Sequence, residues 1–354
     1  MNLADLGWNG YFEEHFAGYK AEFIPARVAR IGLNQYLLYS EVGELLGELT
    51  GKFLHQARKK ADFPAVGDWV AVAALAEEGR GIIHAVLPRA SRFSRKLPGE
   101  ETLEQVVAAN IDHVFIVTDC GRDFNERRLE RYIMVSRESG VDPVIVINKA
   151  DLTGQIETFL ARAREVAGGA PVVGVSAALG TGFEQLDGYL TAGRTVALLG
   201  SSGVGKSTII NALLGEERLA TGEIRETDGR GRHTTTAREM VPVPQGALLI
   251  DNPGIRELQI WTEPGSLTKT FEDIEGIARG CRFRNCSHGG EPGCAVREAV
   301  ETGALAGERM ESYLKLRKEA VLLGARQDVA ARQAEKRRGK RRQDLKEIYK
   351  RKGK

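Results

Sequence analysis

The sequence predicts a multidomain chain with an N-terminal β-barrel, a central α/β domain and a C-terminal helical region. Three observations predict this arrangement: closely spaced strand patterns near the N-terminus, apolar runs alternating with helical patterns in the middle, and a compact Cys/His cluster after them. The length of 354 residues exceeds one typical domain, and a hydrophobic content of 42% is enough for more than one core.

The predicted barrel lies between about Phe23 and Arg95, where turn residues separate short strand patterns. Five closely spaced strands favour a closed barrel, because closure leaves no unpaired edge. The OB-fold is the natural candidate, since it is a five-stranded barrel that often binds nucleic acid. A barrel that serves only as a packing module fits the pattern equally well. The five strands are Arg27–Ile31, Gln35–Ser40, Glu44–Thr50, Asp68–Leu75 and Gly81–Leu87.

The central region alternates apolar runs with helical patterns, which is typical of a doubly wound α/β domain. The runs are rich in Val, Ile and Leu, as strands buried on both faces should be. The predicted strands are His113–Thr118, Val144–Ile147, Val172–Val175, Thr195–Leu199 and Ala247–Ile250. The predicted helices are Glu126–Glu138, Ile156–Val166 and Thr208–Leu214.

A phosphate-binding loop follows the predicted strand Thr195–Leu199. Residues 200–207 match G-x-x-x-x-G-K-[ST], with a helix pattern after them. Backbone N–H groups in such a loop close around phosphate oxygens, while Lys206 reaches the β- and γ-phosphates and Ser207 ligates Mg²⁺. A glycine-rich turn that binds nothing is the alternative. The loop residues are Gly200, Ser201, Ser202, Gly203, Val204, Gly205, Lys206 and Ser207.

A guanine-recognition motif lies upstream of this loop. Asn148-Lys149-Ala150-Asp151 follows the strand Val144–Ile147, at the edge where ligands bind in open α/β sheets. The Asp151 carboxylate can accept from N1–H and the 2-amino group of guanine, and adenine offers neither donor. Asn148 can bond the other base edge, and Lys149 can lie along the nucleotide plane. The Ser176-Ala177-Ala178 turn can offer a backbone N–H to guanine O6.

The γ-phosphate end of the site is expected after the strand Ala247–Ile250. Asp251 would hold Mg²⁺ through water and the Gly254 N–H would meet the γ-phosphate. The segment Gly229–Thr236 is glycine-rich, basic and rich in hydroxyls, as a switch loop should be. Thr235 is the expected Mg²⁺ ligand in the triphosphate state, with Thr234 and Thr236 left open.

The position after Gly254 is Ile255, where Ras-like enzymes have the Gln that orients the attacking water. His233 is the candidate to replace it, as a base or as a hydrogen-bonding positioner. A surface histidine without a catalytic role is the alternative. The motif order is also permuted, because ordinary GTPases place the phosphate-binding loop before the guanine motif.

A metal site is predicted from Cys281-x₄-Cys286-x-His288-x₅-Cys294. Three thiols and one imidazole complete a tetrahedral Cys₃His set, which leaves no open position and indicates one structural Zn²⁺ rather than catalysis. Three reduced thiols in a small core are the alternative. Cys120 stands apart and is expected to be a small buried residue.

The charge of the chain is uneven. Residues 331–354 hold 12 Lys/Arg against 3 Asp/Glu, although the whole chain has a net charge of only +2. A basic tail favours a polyanionic partner such as nucleic acid, and a solvated tail is the alternative.

We find no targeting segment or long apolar run, and we expect a cytoplasmic monomer without a membrane partner.

Together these motifs resemble the circularly permuted, ribosome small-subunit-dependent GTPase family (RsgA), over nearly the whole chain. The resemblance implies guanine contacts at all of 148–151 including Ala150, phosphate contacts extending to Thr208, zinc ligation by the Cys/His set, and a catalytic role for His233. It implies a GTPase that acts late in assembly of the small (30S) ribosomal subunit, binds its rRNA in the GTP state, leaves after GDP forms, and is accelerated by that subunit.

The expected organisation has four parts: an RNA-binding OB-fold-like barrel with an N-terminal extension (1–95), a circularly permuted GTPase domain (96–260), a zinc-binding helical domain (261–330) and a basic tail (331–354). Two other functions remain open. One is a P-loop kinase or ATPase with an RNA-binding accessory, against which the guanine motif argues. The other is a zinc-dependent RNA-binding module with a vestigial nucleotide site, against which Lys206, Ser207 and Asp251 argue.

Overall fold

The computed structural model describes residues 1–33, 35–97, 100–121, 123–216, 239–251, 271–307, 309–318 and 321, without the side chains of 95–104 and 251. The chain forms two compact units. One comprises Met1–Arg95 with Leu103–Gln259, and the other comprises Lys96–Thr102 with Ile260–Lys354. No helix among the described residues is both long and apolar enough to span a bilayer.

The N-terminal barrel has five strands: β1 (Ile24–Ile31), β2 (Tyr36–Ser40), β3 (Gly43–Leu49), β4 (Trp69–Leu75) and β5 (Arg80–Val86). β1 pairs with both β2 and β4, and β3 pairs in parallel with β5, so the order β1-β2-β3-β5-β4 closes on itself. The predicted OB-like barrel is confirmed. Its centre is made of apolar side chains, and each branched one stabilises the fold by about 1.5–3 kcal/mol when fully buried. They include Val28, Leu38, Leu45, Val72 and Ile83.

Two short helices belong to this part of the chain. Helix α1 (Gly10–Phe16) begins where the Asn9 side chain accepts from the Tyr11 N–H at 3.0 Å, and it buries Phe12 and Phe16. Helix α2 (Gly51–Gln56) begins at Thr50, whose hydroxyl accepts from the Phe53 N–H at 3.0 Å, and it buries no side chain. A buried face explains why α1 forms, whereas α2 stays on the surface between β3 and β4.

After the barrel the chain forms a separate two-stranded sheet of β6 (Arg92–Leu97) and β7 (Glu100–Ala109). The strands of the central sheet come next in the sequence. They are β8 (His113–Asp119), β9 (Asp142–Asn148), β10 (Val172–Gly174), β11 (Thr195–Leu199), β12 (Glu239–Pro242) and β13 (Leu248–Asp251). Their spatial order is β10-β9-β8-β11-β13-β12, with every pair parallel except β12 with β13. The strand before the phosphate-binding loop, β11, is therefore central in space although β8 to β10 precede it in the chain.

Helices α3 (Glu126–Glu138), α4 (Ile156–Val166) and α5 (Lys206–Leu214) alternate with these strands, as the apolar pattern predicts. The doubly wound α/β fold is confirmed. The short antiparallel strand β12 was not predicted. It pairs on one side with β13 and on the other with barrel strand β1, through Arg30 and Glu239. The barrel and the α/β domain thus share one continuous sheet of 11 strands.

A buried polar network also joins the barrel to the start of β8. The Arg27 guanidinium is buried and donates from Nη2 to the Asn110 carbonyl at 2.7 Å and from Nε to the Gly67 carbonyl at 3.2 Å. Burial lowers the pKa of Arg27 to about 10, so the group stays cationic at neutral pH. A buried charge is tolerated only when its donors are satisfied, so this contact holds the two parts in one arrangement.

The second unit contains α6 (Glu272–Ala278) and α7 (Ala295–Glu301). We expected one helical stretch from Val296 to Leu323, and this expectation is wrong. Helix α7 ends at Glu301 and Gly303 adopts φ +76°, a left-handed conformation that glycine adopts without steric cost. The chain is helical again over residues 309–318.

Candidate functional site

The phosphate-binding loop connects β11 to α5 and lies at the carboxyl edge of the central sheet. Two of its glycines have no room for a side chain. A Cβ on Gly200 would lie 2.3 Å from the Val117 carbonyl oxygen, and one on Gly205 would lie 2.2 Å from Asn148 Nδ2. Gly205 also adopts φ +93°, which favours glycine. The loop is therefore held tightly against β8 and β9.

Lys206 lies across this loop. Its ammonium group donates to the Gly200 carbonyl at 2.8 Å and also to the Ser201 carbonyl. Ser202 and Gly203 are exposed, whereas Ser207 and Thr208 are half-buried in the first turn of α5. A loop with free surface, a cation and a helix N-terminus directly behind it is suited to hold a polyphosphate.

Asn148, at the end of β9, connects three of the predicted motifs. Its side chain is buried, donates from Nδ2 to the Val204 carbonyl at 2.9 Å, and accepts at Oδ1 from the Ala177 N–H at 3.0 Å. Both ends of the Asn148 amide are thus used within the protein. The residue positions the guanine motif against the phosphate-binding loop. Its Nδ2 group keeps a second hydrogen, so the bond from Asn148 to the base stays a prediction.

The base-recognition groups lie on the loops after β9 and β10. Ser176 is buried, and its hydroxyl donates to the Asp151 carboxylate, which orients that carboxylate. The Ala150 N–H donates to the Val175 carbonyl at 3.1 Å. Since the Ala177 N–H is used by Asn148, the Ala178 N–H is the donor of this turn that has no partner within the described chain. It becomes the best candidate to meet guanine O6.

Lys149 adopts φ +62°, and its ammonium group is held from two sides. It donates to the Gly203 carbonyl at 2.9 Å and to Asp119 Oδ2 at 3.0 Å. The Asp119 Oδ1 atom accepts backbone N–H groups of Gly121 at 3.1 Å and Asp123 at 3.2 Å, which fixes the carboxylate. Asp119 therefore controls where the Lys149 side chain lies over the site.

Sequence reasoning missed Asp119, although a signal for it was present. It is the last residue of β8 and lies directly beside Asn148 in the parallel register of β8 and β9. Cys120 follows it and is half-exposed rather than buried as expected. Its thiol donates to the Lys149 carbonyl at 2.8 Å, so it also belongs to the base-binding side of the site.

Asp251 is the last residue of β13, which lies beside β11, so its backbone stands next to the start of the phosphate-binding loop. The other predicted groups of the γ-phosphate end lie outside the described residues. These are His233, Thr234, Thr235, Thr236, Gly254 and Ile255.

The predicted metal ligands come together in the second unit. One ligand atom from each of the four side chains lies within 4.8 Å of all the others, and three of the residues are buried. The His288 Nδ1 atom lies 3.6 Å from Cys281 Sγ and 3.4 Å from Cys294 Sγ. For the usual Zn–S and Zn–N bond lengths, the S–N edge of a tetrahedron is about 3.6 Å, so the spacing fits a zinc ion. The ligand set is Cys281, Cys286, His288 and Cys294.

The surrounding loop supports this set. The Glu291 carboxylate accepts from the Ser287 hydroxyl and N–H and from the Gly289 N–H at 2.9 Å. The two bonds from Ser287 are the main reason that the pKa of Glu291 is lowered to about 2. Burial lowers the pKa of His288, which keeps its imidazole in the neutral form that binds a metal. Arg317 donates to the Cys286 carbonyl at 3.1 Å and thereby ties the helical residues 309–318 to the ligand loop.

Comparison with known proteins agrees with this geometry. The model of the family described as RsgA GTPase matches residues 86–261. The chain is 46% identical over 351 residues to the small ribosomal subunit biogenesis GTPase RsgA of Opitutus terrae, with 96% of each chain covered. It is 42% identical over 335 residues to the protein of the same name from Methanosarcina acetivorans, covering 94% of this chain and 89% of that one.

Two solved structures share the architecture. The crystal structure of YjeQ from Thermotoga maritima is similar with a TM-score of 0.64 and 30% identity, covering 84% of this chain and 98% of that one. YloQ, described as a circularly permuted GTPase, is similar in fold with a TM-score of 0.61 and 23% identity, covering 84% and 95%. The strand order is permuted, the guanine motif lies beside the phosphate-binding loop, and relatives are similar over nearly the whole length. The chain therefore belongs to the RsgA GTPase family.

Proposed function

We propose that this GTPase acts in late maturation of the small ribosomal subunit, which it binds in the GTP state and leaves after hydrolysis. The curated relatives carry the name small ribosomal subunit biogenesis GTPase, at 46% and 42% identity. The barrel and the Cys/His unit would each contribute contacts to ribosomal RNA.

One observation supports guanine as the base more than any other. The Asn148 amide bonds the phosphate-binding loop at Val204 and the base-recognition turn at Ala177 at the same time. Asp151 stands beside that turn with its carboxylate oriented by Ser176. A carboxylate fixed in this way accepts two donors from guanine and would be left unmatched by adenine, a mismatch that can discriminate by about 10⁴ or more.

The proposed GTP contacts follow the strands that end at this edge of the sheet. Ser207, with Thr235 in the triphosphate state, would ligate Mg²⁺, and Asp251 would hold the ion through water. Mg²⁺ would neutralise charge that develops on the β- and γ-phosphates. The contact residues are Asn148, Lys149, Ala150, Asp151, Ser176, Ala177, Gly200, Ser201, Ser202, Gly203, Val204, Gly205, Lys206, Ser207, Thr208, Asp251 and Gly254, together with Ala178 as the N–H donor to guanine O6.

His233 is the proposed group that positions the attacking water. It belongs to the segment between the phosphate-binding loop and Asp251, and Ile255 occupies the position where Ras-like enzymes use Gln. The Cys/His set would hold one structural Zn²⁺, which would fix the ligand loop without taking part in hydrolysis. We further propose that the protein is a cytoplasmic monomer and that its basic tail contributes to RNA binding.

The test is GTP hydrolysis with and without purified small ribosomal subunits, for the wild type, His233→Ala and the control His15→Ala. His15 is a partly exposed histidine on α1, far in sequence from every nucleotide motif. We expect strong stimulation of the wild type and the control, and its loss in His233→Ala while GDP affinity stays unchanged.

A second measurement compares binding to subunits with GDP and with a non-hydrolysable GTP analogue. Equal binding in the two states would refute release by hydrolysis. Equal affinity for ATP and GTP would refute the assignment of the base. Stimulation that persists in His233→Ala would move the water-positioning role to another group, such as the RNA.

A further inference from the structure

The charge on the barrel surface is divided between two regions. The β2–β3 hairpin, residues 36–49, contains no Lys or Arg but has three glutamates, of which Glu41 and Glu44 are exposed and Glu48 pairs with Arg80 at 3.6 Å. OB-folds commonly use the face of strands 2 and 3 for nucleic acid. On this barrel that face carries the sign of charge that repels phosphate.

Positive charge is concentrated on residues 51–63. We name this range the α2 segment because it contains helix α2 and the connection to β4. Four basic side chains on it are exposed, and none forms an ion pair with a residue in the part of the chain that the structure describes. The four are Lys52, Arg58, Lys59 and Lys60.

The acidic residue of the α2 segment does not neutralise these cations. The Asp62 carboxylate accepts from the backbone N–H groups of Arg58 at 2.8 Å and Lys59 at 2.9 Å. It therefore closes the turn after α2 and holds the basic residues in place. Four exposed cations within 13 residues can bind the phosphates of a nucleic-acid backbone.

Aromatic side chains are interleaved with this charge. Phe53 and Phe63 pack edge to face, with ring centroids 6.2 Å apart. Phe53 lines an open cleft of about 510 Å³ together with His84, Pro88 and Arg92. A second cleft, beside Phe63, is shared with the β2–β3 hairpin through Tyr36 and Glu48, so only the Phe53 cleft belongs to this basic surface. The Phe53 cleft is large enough for an unpaired base, and a base stacked on an aromatic ring contributes about 1–3 kcal/mol.

We propose that the α2 segment, and not the β2–β3 face, is the edge of the barrel that binds unpaired ribosomal RNA. Its four cations hold successive phosphates, and Phe53 receives a base that leaves the stack. The bases of an RNA duplex are stacked inside it and cannot enter the Phe53 cleft, so this surface favours a loop or a bulge. This inference rests on the proposed function in small-subunit maturation.

The test measures binding of the full-length protein, with a GTP analogue, to small ribosomal subunits and to naked small-subunit rRNA at several salt concentrations. One variant combines Lys52→Gln, Lys59→Gln and Lys60→Gln. The control combines Lys20→Gln, Arg30→Gln and Arg80→Gln, which removes the same charge from exposed residues that already pair with carboxylates.

We expect the α2 variant to bind both RNA targets about tenfold more weakly or worse, with a salt slope reduced by about 2, because each phosphate contact on single-stranded RNA contributes about 0.7. The control should change affinity less than about threefold, since its cations are already neutralised. A separate Phe53→Leu variant should weaken binding with an unchanged salt slope. Hydrolysis of GTP without subunits, which measures whether each variant is folded, should stay at the wild-type value.

The possible failures are distinguishable. If the wild type shows no binding to subunits in the GTP state, the proposed function fails. If the wild type binds and the α2 variant binds as tightly as the control, the proposed surface is wrong while the function stands. A loss on whole subunits with unchanged binding to naked rRNA would assign the segment to a ribosomal protein and overturn RNA as its partner. Wild-type binding by Phe53→Leu would overturn the stacked base.

Discussion

Replacing Asp119 by Asn tests how this site positions its lysine. The Asn oxygen can still accept from the Gly121 and Asp123 N–H groups, so the loop after β8 should keep its shape. The Asn amide group, however, would face the Lys149 ammonium group, which would keep only its bond to Gly203. The substitution therefore removes one charge-assisted hydrogen bond while leaving the backbone in place.

The magnitude follows from the exposure of the pair. The Lys149 and Asp119 side chains are 35% and 16% exposed and 3.0 Å apart. Fully exposed ion pairs contribute about 0.2–1 kcal/mol, and hydrogen bonds to charged groups about 1.5–3 kcal/mol. A partly exposed pair should lie near the boundary of the two ranges, at about 1 kcal/mol. Since 1.4 kcal/mol is a factor of ten, the Kd for GDP should rise about fivefold.

The assay is displacement of a fluorescent guanine nucleotide, with Asp123→Asn as the matched control. Asp123 lies in the same loop, pairs with Arg128 at 2.8 Å and has no bond to Lys149. We expect the control to bind GDP within about twofold of the wild type. Wild-type affinity in Asp119→Asn, or an equal loss in both variants, would refute the positioning role of Asp119.

Three further predictions concern other parts of the chain. Gly205→Ala would place a Cβ 2.2 Å from Asn148 Nδ2 and force a left-handed alanine, so GDP affinity should fall by more than about tenfold in the same displacement assay. Cys286→Ser should lower the zinc content measured by atomic spectroscopy from one ion per chain to nearly none, whereas Cys120→Ser should keep the ion. His113 has a buried Nδ1 atom that meets no hydrogen-bond partner among the described residues, and burial lowers the pKa of His113, so the native state resists protonation. In the unfolded state the His113 imidazole has a pKa of about 6.5 and becomes protonated below that pH, whereas the native state keeps it neutral. Protonation therefore favours the unfolded state, and the free energy of unfolding decreases as pH falls below about 6.5. His113→Phe should make the unfolding temperature less dependent on pH between about 5 and 7, and an unchanged dependence would contradict this.

Much of the fold and site was predictable because the relevant signals are local. Strands buried on both faces appear as continuous apolar runs, and the phosphate-binding loop appears as fixed glycine spacing between a strand and a helix. The ligands of the metal set are close in sequence, so their clustering requires only one short loop. These features depend on a few adjacent residues, so they can be predicted without knowledge of the rest of the structure.

The features that sequence reasoning missed depend on pairing between distant segments. Strand β12 is only four residues long and forms because β13 and β1 lie on either side of it. Asp119 matters because the register of two parallel strands places it beside Asn148, and no spacing rule shows that register. The bonds of the Asn148 amide to the Ala177 N–H and the Val204 carbonyl were also missed, because these partners lie 29 and 56 residues away.

The position of β11 in the sheet has a consequence for synthesis of the chain. Translation releases β8, β9 and β10 before β11, yet β11 is the neighbour that covers the open side of β8. Until β11 emerges, the edge of an apolar strand that includes Val114, Phe115 and Ile116 stands unpaired. Exposed edges of this kind recruit other chains, and slowly completed parallel sheets prolong the exposure. Nascent chains that pause between β10 and β11 should therefore be the species most dependent on chaperones, while the barrel, whose five strands are complete by Val86, can already have closed.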